Sequence, residues 1–182
     1  MTTRHTLTQN LVLTALMTAL TAVCAQIQIP LPMIPISLAL FAVHLTGALL
    51  GARYGALSMA AYALLGAMGV PVFAGFLSGP AVLFGKTGGY ILGYVLCALL
   101  VGALSRRIGF TWGGLCLSMA AGLAVCYAFG TAWFMIVSGM GLATSLSYCV
   151  LPFLPGDAVK IALAAFFALR LQKPLHVMGF AL

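Results

Sequence analysis

Apolar residues run along this chain in long unbroken stretches instead of alternating with polar ones, and short clusters of proline, glycine and arginine separate the stretches. A bilayer core takes about 20 apolar residues per helix, so cutting at these breaks predicts six membrane helices. They fall at about 7–28, 37–52, 54–70, 86–105, 113–138 and 156–172. A lipid-facing β-barrel is excluded, because its strands would alternate apolar and polar residues. The breaks carry turn chemistry: Pro30, Pro32 and Pro35 after the first helix, Pro71 to Pro80 between the third and fourth, and Pro152 and Pro155 before the sixth.

Composition agrees with that pattern. Of the 182 residues, 64% are hydrophobic and 5% charged, and the mean hydropathy is +1.20, far from the balance of a soluble domain. Six helices with short connections use up the chain, so residues 1–182 are expected to form a single transmembrane domain with no aqueous domain beside it. The first apolar stretch is longer than the core of a cleavable signal peptide and more spans follow it, so it is expected to stay. The five cysteines, Cys24, Cys97, Cys116, Cys126 and Cys149, form no CxxC pair and sit in apolar runs, where a thiol serves as a small apolar side chain.

Charge changes the picture in two ways. The net charge of +7 is not gathered into one basic stripe, so it does not indicate nucleic acid as a partner. Arg4, Arg53, Arg106, Arg107, Arg170 and Lys173 instead fall at the two ends of the chain and in two loops, while the three Pro-rich loops carry no charge. Basic residues collect on the cytoplasmic side, which predicts an even number of spans with both termini inside. Three charges are left over: Lys86, Asp157 and Lys160, near the outer ends of the fourth and sixth helices.

An ionisable side chain near the bilayer centre costs at least about 2.5 kcal/mol, so it faces a partner or a wet cavity. Asp157 is the only acid in the chain, and Lys160 follows it three residues later on the same helix face. One reading is structural: Asp157 caps the sixth helix and neutralises Lys160. The other adds Lys86 from Gly85-Lys86-Thr87-Gly88-Gly89-Tyr90, where the glycines allow close backbone approach. If the two segments meet, their charges sum to one surplus positive beside two helix N-termini, a setting for a small monocarboxylate with an apolar body. Asp157 would then accept hydrogen bonds from ligand N–H groups, with Phe73, Phe76, Tyr90 and Phe153 as apolar walls.

Other chemistries fare worse. Gly85-Lys86-Thr87 resembles the end of a phosphate-binding loop, but position 80, where that pattern needs glycine, is Pro80, and no second acid exists to serve magnesium. One Asp and the histidines His5, His44 and His176 are too few for acid–base catalysis or a metal site, so neither enzyme activity, metal nor cofactor is expected. His44 lies mid-span, where a neutral imidazole bonded to a neighbouring helix is the simpler reading and proton handling the alternative. Ala15 and Ala19, continued by Ala22, give the first helix a small-xxx-small face suited to close helix packing, either internal or with a partner.

Together these residues resemble the BioY family, the biotin-specific substrate-binding S components of energy-coupling factor (ECF) transporters. The likeness rests on Ile29-Pro30-Leu31-Pro32 with Pro35, on Pro71-Val72-Phe73-Ala74-Gly75-Phe76, on Gly85 to Tyr90 with Gly93, and on Phe153-Leu154-Pro155-Gly156-Asp157 with Lys160. It implies an all-α, six-helix S-component fold in a bacterial cytoplasmic membrane, with biotin near the outer face touching Asp157 and Lys160. It also implies that the Ala15/Ala19 face meets the transmembrane coupling subunit, whose ABC ATPases power uptake. Two positions depart from the family pattern: Lys86 stands where proline is common, and Ala39 where glutamine is expected. A stand-alone secondary transporter or facilitator is the competing reading, and self-association stays open.

Overall fold

The computed structural model describes residues 2–29 and 34–177, with side chains from residue 7 to residue 173. Pro30, Leu31 and Pro32 of the first Pro-rich loop lie outside the described residues. The elements in chain order are α1 (Thr2–Gln26), β1 (Gln28–Ile29), β2 (Ile36–Ser37), α2 (Ala39–Ala67), a 3-10 turn (Ala74–Phe76), α3 (Pro80–Leu83), α4 (Gly88–Ile108), α5 (Trp112–Ser138), α6 (Leu142–Cys149) and α7 (Leu154–Val177). Among the described residues, four helices are long and apolar enough to cross a membrane, or five when α6 and α7, bent by 51° at their junction, are taken as one span.

That count treats α2 as a single rod, and its geometry says otherwise. Gly51 breaks the helix with φ 73° and ψ −177°, a conformation in which a β-carbon would be strained. Eight residues along a straight helix would separate Gly47 from Gly55 by about 12 Å; instead a β-carbon on Gly55 would stand 3.2 Å from the Gly47 Cα. The chain therefore folds back at Gly51, and α2 is a hairpin of two arms, the second and third predicted helices. The break falls at Gly51, two residues before the expected one, because glycine and not Arg53 can take this turn.

The other predicted boundaries also shift for local reasons. α1 stops at Gln26, short of 28, because the chain enters the antiparallel β1–β2 pair, with Gln28 opposite Ser37. α2 ends at Ala67, not 70, ahead of Gly69 at φ 99°. Helix 4 was expected from 86 but starts at Gly88, since residues 85–87 form a turn after the one-turn helix α3. α7 begins two residues earlier than expected, with Pro155 in its first turn, where its missing N–H costs nothing. The segment before it, predicted as loop, holds α6.

α4 packs between α2 and α5, α1 lies along α2, and α7 sits against α2 and α5. Small residues make the contacts close: a β-carbon on Gly102 of α4 would overlap the backbone of Gly51 and Ala52 at the α2 turn. α1 is held by buried hydroxyls. Thr18 Oγ1 donates to the Ser58 carbonyl at 3.0 Å, and Ser58 Oγ donates to the Thr14 carbonyl at 3.1 Å. The Arg106 guanidinium lies over Gly51, so the α2 turn and the end of α4 bring Arg53, Arg106 and Arg107 to one end of the bundle, exposed. The uncharged loops gather at the other end.

Candidate functional site

At the uncharged end, the loop after α2 is strapped down. Gln26, the last residue of α1, donates through Nε2 to the carbonyls of Val72 (3.2 Å) and Phe73 (3.1 Å), and its Oε1 accepts from the Phe76 N–H at 2.9 Å. The Tyr62 hydroxyl donates to the Val72 carbonyl at 3.1 Å. These bonds satisfy backbone groups that a loop over an apolar bundle would otherwise leave without partners. They also press Phe73 into the core, 1% exposed, edge-on against Tyr62 with ring centroids 5.5 Å apart. Phe76 turns outward and is 70% exposed.

Beneath this loop is a cavity of about 90 Å³ bordered by Tyr62, Phe73, Thr87, Tyr90 and Tyr94. A second lobe of about 40 Å³ is bordered by Tyr127, Cys149, Phe153 and Lys160. The two share Ile34, Pro35, Ser37, Tyr90 and Tyr94, so they form one aromatic chamber pinched in the middle. Its walls come from the β1–β2 segment, the strapped loop, α2, α4, α5, the end of α6 and the start of α7, among others.

The chamber's polar end is built on α7. Asp157 is fully buried, and Lys160, one turn on, is 8% exposed. Lys160 Nζ donates to Asp157 Oδ1 at 2.7 Å, and the Tyr127 hydroxyl of α5 donates to Asp157 Oδ2 in a short bond. The Asp157 N–H is already bonded to the Phe153 carbonyl at 2.8 Å. Asp157 therefore belongs to the first turn, and its carboxylate faces Tyr127 and Lys160 instead of capping the helix. Acid and base together are neutral, so the chamber holds no surplus positive charge of its own.

The predicted site residues thus divide. Lys160, Tyr90, Phe153, Phe73 and Thr87 border the chamber, and Asp157 lies just behind its wall, against Lys160 and Tyr127, bordering neither lobe itself. Lys86 is exposed on the turn before α4 and borders neither lobe, and Phe76 lies outside. Gly88 and Gly89 are buried and work by packing: a β-carbon on Gly89 would overlap Trp133 of α5, whose Nε1 donates to the Gly85 carbonyl at 3.1 Å. That contact fixes the turn from which Thr87 faces the cavity. Sequence reasoning missed Tyr127, Tyr94, Tyr62 and Gln26. Tyr90 and Tyr94, four apart on one helix face, were the readable signal; Tyr127 has none until α5 is set beside α7.

Two further predicted features have definite places. His44 is fully buried, its Nδ1 3.7 Å from Cys97 Sγ on α4. Ala15 and Ala19 are exposed on α1 and line an open apolar groove of about 600 Å³ with Thr14, Thr18, Leu57 and Ala61.

Comparison with known proteins bears directly on this arrangement. Residues 1–176 match the model of the BioY family. The chain is 40% identical over 166 residues to a biotin transporter BioY of Thermotoga maritima, covering 91% of this chain and 96% of that protein. It is also 40% identical over 160 residues to a probable biotin transporter BioY of Pyrococcus horikoshii, covering 88% and 94%. Among solved structures, it superposes with a TM-score of 0.85 and 29% identity on the S-component for biotin from an ECF-type ABC transporter, over 91% of this chain and 92% of that one.

Proposed function

The chain belongs to the BioY family, and we propose from that premise that it captures biotin as the substrate-binding S component of an ECF-type transporter. It is a multi-pass membrane protein, and its family is one of transporter components, not of enzymes. The observation that carries the ligand assignment is the buried Asp157–Lys160 pair, whose lysine borders the aromatic chamber and whose acid stands directly behind that lysine and Tyr127. A carboxylate placed there would meet Asp157 as well as Lys160 and be repelled by the acid. A ureido group offers what the pair asks for: N–H donors for Asp157 and, beside them, a carbonyl acceptor for Lys160. Biotin's ureido ring therefore goes to α7, its sulfur ring and chain lie among Tyr90, Tyr94 and Phe73, and its carboxylate points toward the turn that carries Lys86.

The same reading assigns the two ends of the bundle. The arginine-rich end faces the cytoplasm and the chamber opens outward, by the positive-inside rule. The Ala15/Ala19 groove receives a helix of the transmembrane coupling subunit, because small residues allow the closest helix approach, and ATP hydrolysis belongs to partner ATPases. Calorimetry on the purified chain tests the ligand assignment: Asp157→Asn should weaken biotin binding at least about tenfold, the scale of a lost charge-assisted hydrogen bond. Unchanged affinity in a folded variant would refute it. Uptake into proteoliposomes by this chain alone would instead favour a stand-alone transporter.

A further inference from the structure

Both oxygens of Asp157 are engaged within the protein, but by donors of different kinds. The bond from Lys160 to Oδ1 stays within one helix, between residues three apart. Such a bridge moves with its helix and does not fix the carboxylate against the rest of the bundle. The bond from Tyr127 to Oδ2 joins residues 30 apart, from α5 to α7. It supplies a donor to an oxygen that would otherwise be buried without one, in a residue with no solvent exposure. Donors from two helices determine the plane of the carboxylate, and they leave lone pairs on each oxygen for a ligand.

Tyr127 is also part of the wall. Its side chain borders the smaller lobe of the chamber and, on its other side, a groove of about 230 Å³ toward α6 lined by Ala128, Thr131, Leu142 and Leu146. One turn further along α5, Thr131 Oγ1 is 3.0 Å from the Tyr90 hydroxyl, a second buried bond from α5 to a chamber residue. α5 thus presents two hydroxyls, four residues apart, to the polar atoms of the chamber wall.

We infer that Tyr127 is a positioning residue that sets the orientation of the Asp157 carboxylate, and through it the selectivity of the chamber for ligands that present paired N–H donors. The inference rests on the biotin reading above, in which Asp157 accepts from the ureido N–H groups. Because the tyrosine hydrogen is committed to Oδ2, the phenol acts on the ligand through the acid. Removing the hydroxyl frees the carboxylate to rotate about its terminal torsion, which has broad minima, and the aligned acceptor pair is lost.

The test is a cycle of biotin affinities on the full-length chain, measured by calorimetry for the unmodified protein, Tyr127→Phe, Asp157→Asn and the double variant. Thermal melting in the same detergent checks that each is folded. Tyr127→Phe should weaken biotin binding about tenfold, and adding it to Asp157→Asn should change affinity less than twofold, since a residue that acts through Asp157 has nothing left to act on. The ratio of affinities for biotin and for an N-methylated biotin should also shrink in Tyr127→Phe. A structural role alone would lower both ligands in parallel and would persist in the Asp157→Asn background; either result overturns the inference, as does an affinity for biotin within twofold of the unmodified protein. If Tyr127→Phe is not recovered folded, Tyr127→Met, which fills most of the ring's volume without a donor, is read by the same criteria. Failure of the unmodified chain to bind biotin would sink the biotin reading itself, and this inference with it.

Discussion

Removal of the Lys160 ammonium, as Lys160→Met, separates what the ion pair does for stability from what it does for binding. The methionine keeps most of the stem but leaves Asp157, with no solvent exposure, facing one neutral donor, the Tyr127 hydroxyl. Stranding one member of a buried pair costs about 3–5 kcal/mol. Lys160 is 8% exposed and borders the smaller chamber lobe, so water entering through the chamber solvates part of the stranded charge, and about 3 kcal/mol is the better figure. For a chain of this size, 3 kcal/mol lowers the melting temperature by roughly 6–12 °C.

The companion variant, Asp157→Leu with Lys160→Met, removes both charges and both desolvation costs. Replacing a whole buried pair by apolar residues is commonly neutral or stabilising by about 1–4 kcal/mol, so the double variant should melt at or above the unmodified protein while binding no biotin. Scanning fluorimetry in detergent, with and without biotin, reads both properties from one sample set. A Lys160→Met melt within about 2 °C of the unmodified protein, or a double variant less stable than the single one, would refute the view that this pair is a cost to folding retained for the ligand.

Other perturbations follow from the same geometry. Phe73→Ala should destabilise the protein by about 3–5 kcal/mol and abolish measurable biotin binding, because Phe73 is core and chamber wall at once, whereas Phe76→Ala, at an exposed position, should change stability by less than about 0.5 kcal/mol; parallel melting and calorimetry check the contrast. Gln26→Leu removes the bonds that strap the 72–76 backbone and should speed proteolytic nicking of that loop and weaken biotin binding several-fold. Ala15→Trp with Ala19→Trp should leave biotin affinity of the isolated chain within twofold and abolish co-purification with the coupling subunit; retained co-purification would place the docking surface elsewhere.

How much of this could be read beforehand depended on whether the cause was local. Membrane insertion and the approximate run of the spans follow from composition, while the breaks at Gly51 and ahead of Gly69 fall a few residues from where the sequence pattern put them, because glycine takes these backbone angles with ease. The Asp157–Lys160 pair was legible because helical spacing alone brings the two together. What stayed hidden depended on contacts between distant segments. Gln26 and the loop it straps are about 50 residues apart, and Tyr127 and Asp157 are 30 apart; neither pairing leaves a periodic trace. In the stretch around Lys86 the glycines suggested room for close backbone approach, and the space that Gly88 and Gly89 leave is filled by packing within α4's entry turn and against Trp133.

On the proposed reading, the position of Lys86 outside both lobes bears on how the site would hold a charged vitamin inside a membrane. An excess positive chamber would attract any small anion, and selectivity would have to come from shape alone. A neutral pair with donor and acceptor side by side gives little net attraction to a bare carboxylate and rejects it at Asp157. It rewards a group that fills both roles in one plane. The aromatic walls then contribute affinity without regard to charge, and an exposed Lys86 can meet the ligand's carboxylate near water, where the ammonium keeps most of its hydration. On this reading, discrimination at the buried end and charge neutralisation at the wet end are separate tasks, and the buried pair on α7 and the exposed turn before α4 would meet the two ends of an extended ligand in that order.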